Sequence, residues 1–581
     1  MPIDEVRPGM IGIGRTVFEN DRLEEFKVNI VGVLRNVMGP QRNLILARLE
    51  GGPLANTGVI AGMSGSPVFI DGRLIGAISY SLGSFPKEPL AGITPIEEMT
   101  LDVSTAAPRT TASLGVSWPV PAAEVFAALT RVVRRASAPL GDLPADLSVI
   151  GPRSLADLAP TLRPIGAAMV LGGFDPAVDG NLRTALADAG ATPQQASRPA
   201  APAGRTATLR PGDPIGMSLV RGDMQMGATG TVTYVDGSRV YAFGHPFLSL
   251  GPVSLAMTAA HVYTVLPSLD SSMKIASLGA VIGTVTQDRA TAVGGTLGAA
   301  PRELEVHLSL TSPRAAERRF TFYVAQDPAL TPLFAYVSIL NALTSYERQT
   351  GAMSVAAKGT ISLGKDGQIA IDDVFSGDTA TTAAASAIAT PMGVVVANEF
   401  RSVMPERLGL EIRALEEQQA TTIDRVWLDT TRPQLGGTYA LQVQLQDFRG
   451  AHRTISMPVT LPSQTDGPLT LLVSDAATLT ALEQRELRPA KPASFSDVLR
   501  QVNDARRNNR IYVRLIASAN GTVVAGDTLP ALPTSVQSLL RSDTSVARAN
   551  VTRSVVGAWD QRTDLAVRGS RELTINPKQA P

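Results

Sequence analysis

Short apolar runs bounded by turn residues, repeated along most of the chain, limit its fold more than any other feature. In residues 1–115 the runs VNIVGVL, NLILARL and SPVFIDGRLIGAISY alternate with Gly, Pro and Asn, and Val68–Tyr80 reads as a hairpin turning at Asp71-Gly72. An Asp-Gly pair supplies the positive φ angles that a tight two-residue hairpin needs. Residues 206–365 return to this pattern in GATGTVTYVDGSRVYAFGHPF, SLGAVIGTVTQDRATAVGGTLG and RELEVHLSL, with a second hairpin over Thr231–His245 at Asp236-Gly237. GRTVF at Gly14 and GTVTY at Gly230 are alike, as in two related β-units. With 51 glycines and 41 prolines to make turns, the chain is predicted to be mainly β.

Length and local composition divide it further. At 581 residues, three to five domains are expected. Residues 1–115 and 206–378 read as two β-barrel halves, separated at 116–205 by a helical insertion (AAEVFAALTRVVRRA) and a Pro/Ala-rich linker. Residues 379–488 read as a helix followed by a β-sandwich, with YALQVQLQDF and ISMPVTLP as strands. Residues 489–581, opening on SFSDVLRQVNDARRNNR, read as a small α+β domain. The uncharged stretch Thr379–Asn398 is rich in Thr, Ala and Ser and contains Pro391, which favours a packed helix over a membrane span. The opening MPIDEVRPGM lacks the basic and apolar regions of a signal peptide, and a soluble chain is expected.

Charge and rare residue types narrow the chemistry. With 52 basic and 52 acidic residues the net charge is zero, so no global field favours nucleic acid or an anionic membrane. Only seven basic residues are lysine, and the 45 arginines are scattered. The absence of cysteine excludes disulfides, thiolate zinc sites and cysteine nucleophiles. His245, His261, His307 and His452 are the whole stock of imidazole bases, and none forms an HExxH pair. Gly12-Ile13-Gly14 lacks the third glycine and helix of a dinucleotide fingerprint, and no Walker or EF-hand loop is present, so neither cofactor nor metal is expected.

The most informative hexapeptide is Gly62-Met63-Ser64-Gly65-Ser66-Pro67. A serine nucleophile must sit on a tight turn with backbone N–H groups converging on one point. Here the amides of Gly62 and Ser64 are the candidate oxyanion donors. Gly65 tolerates strained dihedrals and Pro67 leads into the next strand. Ser66 stands where a G-x-S-x-G elbow needs glycine, and a hairpin rather than a helix follows. An ordinary Gly/Ser turn is the plain alternative.

Serine also needs a base. His245, in Tyr241-Ala242-Phe243-Gly244-His245-Pro246, ends a predicted strand and should emerge at a sheet edge. His261, within LAMTAAHVYTVL, reads as a packed core histidine, and His307 and His452 as structural or exposed.

The stretch Arg22–Met99, with GMSGSP at its centre, resembles the catalytic serine region of the SpoIVB peptidases, serine endopeptidases of the chymotrypsin-like superfamily. Gly227–Ser249 is similar to that family's histidine region and Met273–Gly298 to the connecting segment. The resemblance implies a two-unit chymotrypsin-like barrel core, ahead of the β-sandwich and α+β domains read from the later residues, with Ser64 as nucleophile and His245 as general base. The order is permuted: in the family the histidine region comes first, whereas here Ser64 precedes His245 by 181 residues. No PDZ module is evident. Aligning Thr57-Gly58 with the family puts Glu50 at its acid position, while Asp288, which follows the histidine, is the rival from residue order. The implied activity is peptide hydrolysis on an envelope protein or on the chain itself, with a secreted or envelope location and cytoplasm as the alternative. The competing expectation is an inactive scaffold that retains the fold.

Overall fold

The structure, a computed structural model, describes residues 1–82, 88–101, 121–137, 147–152, 154–195, 208–313, 315–345, 352–450, 452–465, 467–487, 492–524, 527–529 and 549–576. The linker expected before residue 206 falls largely outside them. The chain is mainly β, with 51% of residues in strands and 21% in helices. It divides into two compact units: Met1–His307 with Phe320–Tyr346 and Ser402–Leu408, and Leu308–Arg319 with Glu347–Arg401 and Gly409–Pro581.

In the first unit, β1 (Ile11–Glu19), β2 (Arg22–Arg35), β3 (Leu44–Glu50), β4 (Pro67–Ile70), β5 (Arg73–Leu82) and β6 (Leu90–Pro95) pair in the order β1-β4-β5-β6-β3-β2. A further β1–β2 pairing closes the ring, giving a six-stranded antiparallel barrel. Closure removes the open sheet edges through which β-proteins aggregate. Its core follows the period-two rule: Phe26, Val28 and Ile30 on β2 are buried while Lys27 faces out. The β4–β5 turn falls at Asp71 (φ 50°) and Gly72 (φ 73°), as the Asp-Gly pair predicts.

Short strands β7 (Ser148–Ile150) and β8 (Leu162–Pro164) flank this barrel on β2 and β5. After them, β9 (Ala168–Gly172) and β10 (Thr192–Gln195) pair in parallel across the helix Pro176–Asp188. A second ring follows from β11 (Pro214–Gly222), β12 (Gln225–Asp236), β13 (Arg239–Ala242), β14 (Gly251–Leu266), β15 (Met273–Arg289) and β16 (Ala292–Leu297). They pair antiparallel as β11-β12-β13-β16-β15-β14, and β14 returns to β11. β9 adds to the outside of this ring on β12, with Ala168 opposite Thr229. The paired barrels are what the chymotrypsin-like expectation requires.

The second unit contains a sandwich. One sheet joins His452–Thr460, Thr438–Asp447, Ala420–Leu428 and Ala566–Arg568; the other joins Asp527–Leu529, Arg510–Val524, Leu469–Ser474 and Ser570–Ile575, with Ala549–Arg562 on Arg510–Val524. Leu441, Val443 and Leu445 of the first sheet share a core with Leu471, Val473, Val513 and Leu515 of the second. The sandwich foreseen within 379–488 therefore takes strands from both sides of residue 488, because neither sheet alone can bury its apolar face. Thr379–Asn398 contributes the helix Ala380–Val396, which contains Pro391. Among the described residues no helix is long and apolar enough to cross a membrane.

Candidate active site

The hexapeptide 62–67 forms the turn that enters β4. Met63 faces inward as part of the first barrel's core and is fully buried, a contribution of about 1.5–3 kcal/mol for a side chain of this kind. Its backbone N–H donates to Ile60 O at 3.1 Å, and its carbonyl accepts from Ser66 N at 3.0 Å and Ser66 Oγ at 2.6 Å. Gly65 N donates to Ile78 O at 2.7 Å, so the turn is stitched to β5 as well. With Met63 inward, Ser64 lies on the side facing the second barrel. Gly65 (φ 95°) has no room for a side chain: a Cβ would stand 1.9 Å from Thr231 O and 2.6 Å from Phe243 N. Among the described residues no acceptor meets the amides of Gly62 or Ser64, the two candidate oxyanion donors.

His245 lies in the loop between β13 and β14. Phe243 (φ 68°) and Gly244 (φ 68°) turn the chain sharply just before it, and a left-handed phenylalanine is strain that persists only where surroundings impose it. Gly244 packs against β5, where a Cβ would lie 2.9 Å from Ser79 Cβ.

Each barrel holds the other's loop. From β12, Thr231 N donates to Ser64 O at 2.9 Å, Thr231 Oγ1 to Gly62 O at 3.1 Å, and Thr233 Oγ1 to Gly65 O at 2.7 Å. In return, Thr94 Oγ1 on β6 donates to Gly244 O at 2.6 Å and is braced by Ser79 Oγ at 2.7 Å. These hydroxyls carry no signal of their own, since Thr on a strand is ordinary; only their repetition on one face, at 231 and 233, marks them.

Ser64 is 0% exposed and His245 2%, and among the described residues neither Ser64 Oγ nor His245 Nε2, both buried, has a hydrogen-bond partner. Buried polar atoms are nearly always paired, so two orphans on loops that both bond to Thr231 require an explanation. His245 Nδ1 lies 2.7 Å from Pro246 O, an oxygen that can only accept. Nδ1 therefore carries the proton, and Nε2 keeps the lone pair that a general base needs. Burial lowers the imidazole pKa from 6.5 to about 4, only partly opposed by the Pro246 carbonyl.

The acids fall elsewhere. Glu50 is exposed at the end of β3, its carboxylate accepting from Asn29 Nδ2 at 2.7 Å and Lys27 Nζ at 3.3 Å. It does not meet His245, whose Nδ1 is taken by Pro246 O; β2 pairs with β3 so that Lys27 sits directly opposite Glu50 and captures it. Asp288 is buried on β15 and also leaves the ring alone. Its carboxylate accepts from the backbone N–H groups of Phe247 (2.7 Å), Leu248 (2.8 Å) and Leu250 (3.1 Å). Burial raises its pKa, against the backbone donors that favour the anion. Asp288 thus fastens the loop that follows His245. Replacing it with alanine should strand those amides at a cost of about 3 kcal/mol or more, read as a lower melting temperature, together with slower reaction of Ser64 below the melt.

The remaining histidines are surface groups. His261, expected in a core, is part-exposed and paired through Nδ1 with Asp21 at 2.8 Å. His307 is exposed and lies 3.0 Å from Glu305, and His452 is exposed and lies 3.7 Å from Asp424.

Residues 3–99 match the SpoIVB peptidase S55 family. No curated protein and no solved structure matches the chain. The SpoIVB peptidase match spans the first barrel and contains the whole serine turn, while His245 and the second barrel lie beyond it. It bears out the resemblance read from Arg22–Met99 and supports a serine peptidase function in general.

Proposed function

We propose that the chain is a serine endopeptidase with Ser64 as nucleophile and His245 as general base. The observation that carries this reading is that, among the described residues, the buried atoms Ser64 Oγ and His245 Nε2 have no partner and the serine turn's amides at Gly62 and Ser64 have no acceptor. In the proposed reaction, His245 Nε2 takes the Ser64 hydroxyl proton as Oγ attacks the scissile carbonyl. The N–H groups of Gly62 and Ser64 receive the oxyanion. The imidazolium then protonates the departing amine, and water hydrolyses the acyl-enzyme by the same steps. Pro246 O holds the ring in the correct tautomer, the task usually given to a carboxylate. A carbonyl dipole stabilises the imidazolium less than a full charge does, consistent with the low pKa of His245.

Its substrate is a protein or peptide, an envelope protein or the chain itself, met outside the cytoplasm. The rival, a scaffold that keeps the fold without catalysis, draws on the complete burial of Ser64; acylation requires that serine to be uncovered. One experiment separates the two. A fluorophosphonate should leave a covalent adduct on Ser64, located by peptide mass spectrometry and absent from S64A. A protein that takes up no label and cleaves no protein substrate overturns the peptidase reading.

A further inference from the structure

Lys274, on β15, is 1% exposed, and no described carboxylate pairs with it. Burying an ammonium is costly unless a counter-charge or a set of acceptors compensates. Here the Nζ acceptor is Thr16 Oγ1, at 2.7 Å, on β1. Thr16 is itself fully buried, and continuing the register of Gly14 with Val68 sets it level with Ser66. A methionine would fill the same space without the charge, so the charge is the feature to explain.

The position of Lys274 supplies the explanation. Its N–H donates to Ala61 O at 3.0 Å, and Ala61 N donates to Ser272 O at 2.8 Å, which ties the start of β15 to the residue before Gly62. Lys274 Cβ and Cδ each lie 3.4 Å from where a Cβ on Gly62 would stand. The stem therefore runs along the residue whose amide faces the developing oxyanion. We propose that Lys274 supplies the buried positive charge that stabilises the anionic tetrahedral species at Ser64. This rests on Ser64 being the nucleophile. Lys274 keeps its three protons throughout, and no bond to it forms or breaks.

Other charged groups on the surrounding elements are engaged elsewhere or face solvent. Arg15 on β1 pairs with Glu25, Glu19 is exposed at the strand end, His261 on β14 holds Asp21, and Asp288 on β15 holds the 247–250 amides. Burial lowers the Lys274 pKa to about 7, so its charge is lost within an accessible pH range.

The test is the rate of Ser64 acylation by a fluorophosphonate, whose phosphonyl oxygen occupies the oxyanion position, from pH 5 to 9 in the wild type, K274M and K274R. The wild-type rate should fall as pH rises through about 7. K274M should react about 10- to 100-fold more slowly at pH 6 and lose that alkaline fall. K274R should recover most of the rate and stay active at high pH, because guanidinium remains charged; a lysine acting as base would not be rescued this way. A wild-type profile flat from pH 6 to 9, or K274M reacting at the wild-type rate, overturns the role of Lys274 while leaving Ser64 as nucleophile. If K274M does not fold, an alkaline fall retained in K274R overturns it. A wild type that is never acylated overturns the underlying peptidase reading as well.

Discussion

Glutamine in place of His245 is expected to slow acylation of Ser64 by about 10⁴-fold, roughly 5 kcal/mol of barrier. The amide approximates the imidazole in size and can still hydrogen-bond, but it cannot take a proton from Oγ. What survives in H245Q is the contribution of the Gly62 and Ser64 amides, which does not depend on the base. The wild-type acid limb should lie near pH 4 rather than 6.5, since protonation there fills the lone pair on Nε2. The same burial links stability to pH. The folded pKa lies below the unfolded value, so the stabilisation is complete above about 6.5 and is lost as the pH falls through about 4. Second-order labelling rates by intact mass check the first claim, and a rate for H245Q within tenfold of wild type would remove His245 from the mechanism.

Much of this site could be read in the sequence because its determinants are local. The serine turn needs glycine at 62 and 65 and a buried side chain at 63, all within six residues. The two hairpins announce themselves through Asp71-Gly72 and Asp236-Gly237, and the glycine before His245 marks a chain forced close to a neighbouring strand. What could not be read depends on pairing across the fold. Glu50 has a plausible place in the chain order, but β2–β3 register sets Lys27 opposite it. Asp288 is a candidate acid by order alone; its partners in the fold are backbone amides, which carry no side-chain signature. Lys274 is one lysine among seven in the sequence, and only its burial alongside Gly62 distinguishes it. The sandwich's extent is non-local for a similar reason, since Ala566–Arg568 returns beside Ala420–Leu428 from far along the chain.

A methyl group at Gly65 should do more damage than any other single carbon added near the site. The φ of 95° already disfavours an L-residue, a strain of about 1–3 kcal/mol. The new Cβ would also collide with Thr231 O at 1.9 Å and Phe243 N at 2.6 Å, and both are backbone atoms that cannot rotate aside. Relief requires β12 to retreat, which breaks the Thr231 N–Ser64 O and Thr233 Oγ1–Gly65 O bonds that hold the turn. Gly65→Ala is therefore expected to cost more than about 4 kcal/mol, to lower the first unit's melting temperature by roughly 5–10 °C, and to abolish labelling of Ser64. Gly72→Ala is the matched control: its φ of 73° imposes similar strain, but no atom lies within 4 Å of the added Cβ. It should cost only about 1–2 kcal/mol and leave labelling unchanged. If the two variants melt together and label alike, the close seating of β12 on the serine turn is not what shapes the site.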